Sequence, residues 1–258
     1  MSNDFGIVYV ATGKRYRDEC VRSAQSAKQV MPDIPITLWT DSEADLAKDS
    51  FDFIHILETP NYSFFDKISP LIETKHEKTL FVDTDTYFLD SVYEFSELLE
   101  RFDLGYCHAP WRISPGMHNV VENIPLCFAE PNTGVIPYCK TEAVIQVFKA
   151  WERIYAEQLK GDNPPAHDQP AFREALYFSD IRSVILPPEY NVRTVYPVFV
   201  GGCPAKILHG REPSLGRAIK RINEYSDLRI YDFNHYRIKK AIKTVKKNYR
   251  SLKKMIKK

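Results

Sequence analysis

The sequence predicts an α/β protein whose mixed, mostly parallel sheet is sandwiched by helices and followed by a basic amphipathic helix. Three observations carry that expectation. Short apolar, β-branched and aromatic runs alternate with segments of helical periodicity through the first hundred residues, as in strand–helix–strand units. The chain has 258 residues, 44% hydrophobic and 27% charged, enough to bury one large core without staples. The last 23 residues, by contrast, are a run of cations around an apolar stripe.

The elements follow in order. Phe5–Ala11 (FGIVYVA) is a continuous apolar run and predicts a buried strand. Residues 15–31 place Cys20, Ala24, Ala27 and Met31 at helical spacing, and Pro32 stops that helix. Ile36–Thr40 predicts a second strand closing on Asp41, and 53–57 a third. Residues 65–73 predict a helix despite Pro70, and 79–82 a fourth strand running directly into Asp83-Thr84-Asp85. An amphipathic helix is expected over 92–102 and a strand over 104–108. A loop rich in Gly, Pro, His and Asn follows at 111–123. Residues 135–138 predict a strand, and 141–159 a helix turning Val144, Phe148, Trp151, Tyr155 and Leu159 inward. A helix over 169–176 and strands over 184–186 and 205–208 complete the expectation, with one domain at 1–212 and an appendage at 213–258.

Charge and cysteine usage narrow the function classes. The net charge of +1 conceals eleven Lys or Arg and no acid from Tyr236 to Lys258, which leaves 24 basic against 34 acidic residues in 1–235. An acidic body argues against nucleic acid as a partner. Five scattered cysteines without CxxC spacing argue against a disulfide framework or structural zinc and for a reducing, cytoplasmic compartment. No run approaches the roughly 18 apolar residues of a membrane span, and the first residues do not read as a secretory leader. In the tail, Ile238, Ile242, Val245, Tyr249, Leu252 and Ile256 recur at steps of three and four. With cations around the rest, 236–258 predicts a helix for an anionic membrane surface, the inner face of a membrane; the alternative is a helix packed on the acidic body.

Chemistry is expected at Asp83 and Asp85. Ligands of α/β sheets bind beyond the carboxyl ends of strands. Residues two apart in an extended segment share a face, so both carboxylates can aim at one point. Two such charges are costly together without a cation between them, and Mn²⁺ or Mg²⁺ with oxygen ligands is the natural one. The plain alternative is a solvated turn.

An apolar strand ending in Asp-x-Asp, some eighty residues into alternating strands and helices, resembles nucleotide-sugar glycosyltransferases of the GT-A fold. Three later segments resemble the retaining branch typified by glycosyltransferase family 8. Pro131-Asn132-Thr133-Gly134-Val135-Ile136 is similar to its Asn-x-Gly segment, His167-Asp168-Gln169-Pro170 to its Asp-Gln segment, and Leu208-His209-Gly210 to its late metal-binding histidine. All stand in the family's order and span about 5–212. The family's His-x-x-Gly-x-x-Lys pattern is not reproduced after His209, so its phosphate-binding lysine does not carry over; Arg211 and Lys206 are the candidates for that task.

The resemblance implies roles residue by residue. Asp83, Asp85 and His209 would hold the metal. Ala11, Thr12 and Gly13 would lie under the nucleoside, with Tyr16 stacking on the base or simply half-buried on its helix. Asp41 would touch the nucleotide or cap a helix starting at Ser42. Thr84, Lys67, Gly210 and Arg211 would contact the donor. Asn132 and Gly134 would face the sugar. Asp168 and Gln169 would lie beside the reacting carbon, unless Asp168 merely caps a helix. Trp111, Arg112 and His118 are candidates for acceptor contacts, and the Leu186–Asn191 stretch for structure on that side. The resemblance thus implies transfer from a nucleotide-diphosphate sugar, a UDP-sugar foremost, to a glycan or lipid-linked acceptor with retention. Two rivals stand beside it. An aspartate-nucleophile phosphohydrolase also uses strand-DxD, but wants Thr or Val where Tyr87 stands and normally places the motif after the first strand. A non-catalytic scaffold binding membranes or RNA through the tail would ignore Asp83 altogether.

Overall fold

The computed structural model describes residues 5–44, 46–110, 124–225, 227, 229–233 and 242–246. In chain order the elements are β1 (Phe5–Ala11), α1 (Lys14–Val30), β2 (Ile36–Thr40), β3 (Phe53–Ile56), α2 (Ile68–Glu73), β4 (Lys78–Val82), β5 (Thr86–Phe88) and α3 (Glu94–Leu98). They continue with β6 (Leu104–Tyr106), β7 (Val135–Cys139), α4 (Glu142–Gln158), α5 (Gln169–Tyr177), β8 (Ser183–Ile185), β9 (Val192–Arg193), β10 (Val198–Val200), β11 (Ile207–His209), α6 (Ser214–Arg221) and β12 (Arg229–Tyr231).

The main sheet has seven strands in the order β3-β2-β1-β4-β7-β6-β8. β1 to β4 run parallel, while β7 lies antiparallel to both β4 and β6. β1 is buried nearly throughout because both sheet faces are covered, which is what its unbroken apolar run encodes. α1 approaches closely through small residues, and its Ser26 hydroxyl accepts the Phe88 N–H at 2.9 Å. On the other face α4 and α5 pack Phe148, Trp151 and Phe172 against Phe81, Ile136 and Tyr138. A three-stranded sheet, β5-β11-β9, lies beyond the carboxyl end of β4. Its β11 is antiparallel to β5 and parallel to β9.

Several expectations shift. The helix expected over 92–102 is regular only over Glu94–Leu98, because the chain must turn to enter β6. Pro70 is accommodated in the first turn of α2, where no intrahelical N–H is lost. Leu159 is 42% exposed, since α4 ends one residue earlier and releases it from the packed face. No helix begins at Ser42 among the described residues. β5, β9, β10 and β12 were not foreseen, the last of them in the stretch expected as a helical appendage, where α6 is the helical part. α6 buries Leu215 and Ala218 completely, with Ile222 just beyond it, in one cluster with Val192, Val200, Leu208 and Phe233, so the chain after 212 continues on the body. Residues 111–123, with Trp111, Arg112 and His118, lie outside the described residues, as does most of the tail. Residues 242–246 are helical, with Ile242 and Val245 exposed. Among the described residues no helix is long and apolar enough to cross a membrane.

Candidate functional site

The site lies at the carboxyl ends of β1, β2 and β4, where β7 and the three-stranded sheet close over them. The Asp83 N–H donates to the Gly134 carbonyl at 2.8 Å, which fixes the turn after β4 against β7. β11 pairs with β5 directly after the acidic pair and delivers His209 to it. His209 Nε2 lies 3.5 Å from Asp83 Oδ2 and 3.3 Å from Asp85 Oδ1. One ligand atom from each of the three residues lies within 4.8 Å of the others, so the group is able to bind a metal ion. Neighbouring ligands of an octahedral Mn²⁺ or Mg²⁺ stand about 3 Å apart, so the two His209 contacts are within a few tenths of an ångström of what such an ion would require. Gly134 makes the approach possible. A Cβ there would lie 2.1 Å from His209 Cε1 and 2.7 Å from Asp83 Oδ2.

The histidine is oriented by a directed chain of amides. The Gly134 N–H can only donate, and its acceptor at 3.1 Å is Asn132 Oδ1. That oxygen also accepts from Asn191 Nδ2 at 2.7 Å, which turns Asn191 Oδ1 toward His209 Nδ1 at 2.9 Å. Nδ1 therefore carries the proton and Nε2 presents its lone pair to the carboxylates, the tautomer a metal ligand needs. From its other end Asn132 donates Nδ2 to Gln169 Oε1 at 2.7 Å, and Gln169 Nε2 donates to buried Glu130 at 2.7 Å. The metal-capable group and Gln169 are two ends of one network.

Lys67 joins the two halves. Its ammonium, 5% exposed, lies 2.9 Å from Asp168 Oδ2, 3.1 Å from the Thr133 hydroxyl and 3.7 Å from Asp83 Oδ1. Burial opposes its charge, but Asp168 and Asp83 outweigh burial and hold it protonated. Asp168 begins α5, yet its carboxylate makes no capping bond; it takes Lys67 and the Thr133 hydroxyl instead. Burial likewise opposes the Asp85 carboxylate; with no metal bound, a protonated His209 donating to it and the Arg211 and Arg193 guanidiniums keep it well below the ordinary aspartate range.

The remaining predicted residues distribute around this centre. Thr12 donates its hydroxyl to Asp66 at 2.8 Å, and the Ala11 carbonyl accepts from Thr40 at 2.8 Å. Asp41 caps nothing at Ser42; it accepts the Gly13 N–H at 2.9 Å and pairs with Arg17 at 2.6 Å. Tyr16 is 43% exposed and has the Arg211 guanidinium 5.8 Å above its ring. Arg211 reaches Asp85 at 3.2 Å but is also clamped by both oxygens of Glu19. Glu19 further accepts from Thr84 at 3.4 Å. Gly210, at φ 151°, leaves room for Thr194, whose hydroxyl oxygen lies 2.2 Å from where a Cβ would stand. Lys206 turns away to Glu94 and the Ser91 carbonyl. Asn191 lies against His209 and not only on the side its stretch suggested. Sequence reasoning missed Glu130, Thr133 and Arg193. Glu130 directly precedes the Pro-Asn-Thr-Gly segment and could have been weighed with it; nothing local marked Arg193.

The seven-stranded, mostly parallel sheet flanked by helices is the GT-A architecture, and it carries the Asp-Asp-His group at its strand ends. Solved structures of this fold include two of LgtC, one an active-site mutant replacing a glutamine with glutamate and one described as a galactosyltransferase in complex with donor and acceptor sugar analogues. Both are 16% identical to this chain and cover 85% of it and 94% of their own length, with TM-scores of 0.56 and 0.55. No protein-family model matches the sequence, and no curated protein matches it.

Proposed function

We propose that this chain is a metal-dependent glycosyltransferase that moves a sugar from a nucleotide-diphosphate donor, a UDP-sugar foremost, to a glycan or lipid-linked acceptor. The observation that carries the proposal is the Asp83, Asp85 and His209 group at the strand ends of a GT-A sheet, held in metal-ligand tautomer by Asn191. The LgtC complex with donor and acceptor sugar analogues supports the same substrate classes. Those three side chains would hold Mn²⁺ or Mg²⁺, which when bound offsets charge on the departing nucleoside diphosphate. Ala11, Thr12, Gly13 and Tyr16 form the nucleoside floor, and Lys67, Thr84, Gly210 and Arg211 flank the phosphates. Asn132 and Gly134 face the sugar, with Asp168 and Gln169 beside the reacting carbon.

Retention fits the neutral carboxamide at 169, which is too weak a base to take the acceptor proton. We assign the catalytic body to 1–212 and an appendage to 213–258 whose first helix docks on that body. Its segment 236–258 holds the enzyme to anionic lipid at the inner face of a membrane, consistent with the exposed Ile242 and Val245. The test is a panel of nucleotide sugars with Mn²⁺, read by thermal shift and then by proton NMR of the product linkage. Stabilisation by no member of the panel would end the donor assignment. An inverted linkage would end retention and pass the proton-taking role to Glu130. Equal sedimentation of full-length and truncated protein with phosphatidylglycerol vesicles would end the membrane assignment.

A further inference from the structure

The site contains an arginine with no direct ion pair among the described residues, although Asp85 and Asp83 act on it from farther off. Arg193 ends β9 and stands in register with His209 across the parallel β9–β11 pair, so the two side chains share a face. Its Nη1 lies 3.4 Å from His209 Nδ1 and 3.3 Å from Nε2. Its Nε is buried and meets no hydrogen-bond partner, and no carboxylate comes within 4.0 Å of the guanidinium among the described residues. The two ring nitrogens cannot serve as its lasting acceptors. Nδ1 already carries the proton given to Asn191, and the Nε2 lone pair belongs to the metal-ligand position. With both nitrogens committed, Nη1 has no lasting acceptor on the ring, and the buried Nε has none among the described residues.

The other cations of the site are differently placed. Arg211 is clamped by Glu19, Lys206 by Glu94, and Lys67 by Asp168. An anion that pairs directly with Arg193 would therefore come from a ligand bound beside Asp83, Asp85 and His209. We propose that Arg193 is the donor-binding residue that grips the diphosphate, supplying from β9 the positive charge that Arg211 and Lys206 were candidates to supply. The proposal rests on the nucleotide-sugar function above and names the residue that reads its phosphates. Arginine suits the task because its planar fork takes two phosphate oxygens at once, which lysine cannot.

The experiment compares wild type with Arg193→Gln and Arg193→Lys by calorimetric titration, first with Mn²⁺ alone and then with UDP, GDP, ADP and CDP in saturating Mn²⁺. Wild type should bind at least one nucleoside diphosphate. Arg193→Gln should bind Mn²⁺ as wild type does and that diphosphate roughly 10- to 100-fold more weakly, the loss expected for a charge-assisted hydrogen bond. If Arg193→Gln does not fold, Arg193→Lys is decisive: Mn²⁺ binding unchanged and diphosphate binding a few-fold weaker. Diphosphate affinity equal to wild type in the folded variant overturns the proposal and leaves the donor assignment standing. Loss of Mn²⁺ binding in the absence of nucleotide also overturns it, because Arg193 would then only prop His209. Failure of wild type to bind any of the four diphosphates overturns both the proposal and the donor assignment.

Discussion

Replacing Gly134 with alanine adds one methyl group at the most crowded point of the site. The backbone there is not in the left-handed region, so alanine is acceptable to the chain itself and the whole effect falls on neighbours. The new Cβ would stand 2.1 Å from His209 Cε1, where ordinary contact begins near 3.4 Å, so the ring must retreat by about 1.3 Å. It has little space to do so, being 2% exposed and held between Asn191 and Arg193. Metal sites tolerate errors of about 0.2 Å in ligand distance, and an ångström of misplacement typically costs a factor of about 100. Gly134→Ala should therefore bind Mn²⁺ at least about 100-fold more weakly than wild type. Overpacking should cost about 1–3 kcal/mol of stability, a melting shift of several degrees. Mn²⁺ titration followed by electron paramagnetic resonance reads the first effect and calorimetry the second. Gly161→Ala is the control, because its Cβ meets only the Gln158 carbonyl at 3.5 Å. Wild-type Mn²⁺ affinity in a folded Gly134→Ala protein would refute the assignment of His209 as a ligand.

Three further outcomes follow from the same geometry. Asn191→Ala strips His209 Nδ1 of its acceptor and should weaken Mn²⁺ binding about 10- to 100-fold in the same titration; an unchanged curve would mean that the amide chain does not set the tautomer. Lys67→Met leaves the buried Asp168 carboxylate uncompensated and should cost about 3–5 kcal/mol in urea unfolding, with part of it restored by adding Asp168→Asn. A single Lys67→Met variant as stable as wild type would contradict this. On acidification, Asp52 and Asp41 matter: burial pushes each upward, but Lys28 and the Ile36 N–H lower the first, and the Gly13 N–H and Arg17 the second. A folded pKa below the unfolded value of about 3.9 adds stability above that pH and loses it as pH falls through the folded value. The contribution of these two carboxylates should thus make the urea midpoint fall between about pH 4 and 3; a midpoint that rises over that interval would show the sign to be wrong.

The parts of this protein that could be read in advance are those whose cause is local. β1 and β2 are legible because a strand covered on both faces must be apolar along its whole length. α4 is legible because Val144, Phe148, Trp151 and Tyr155 repeat at its pitch. β5 and β9 are three and two residues long, too short for any period to show, although between them they frame β11. The metal-capable residues were legible as motifs at strand ends. Arg193 was not, because its importance arises from register: only the pairing of β9 with β11 sets it beside His209. Asp168 illustrates a third case. Its position at the start of α5 suggested a cap, but a buried ammonium from elsewhere in the chain competes for the same carboxylate and wins.

The pairing of β11 with β5 also bears on how the protein is born. The two carboxylates leave the ribosome early, together with most of the parallel sheet, whereas the strand that carries His209 follows more than a hundred residues later. Until then β5 is an edge without its partner, and the first core cluster lacks Ile207, which is wholly buried in the finished fold. Pairings of such long range form late and leave a nascent chain sticky in the interval. Under the proposed function, metal capture would consequently be a mark of completion. A fragment released before Ile207 holds the two acids without His209 to close on them, so stalled translation products would lack the complete metal-capable group.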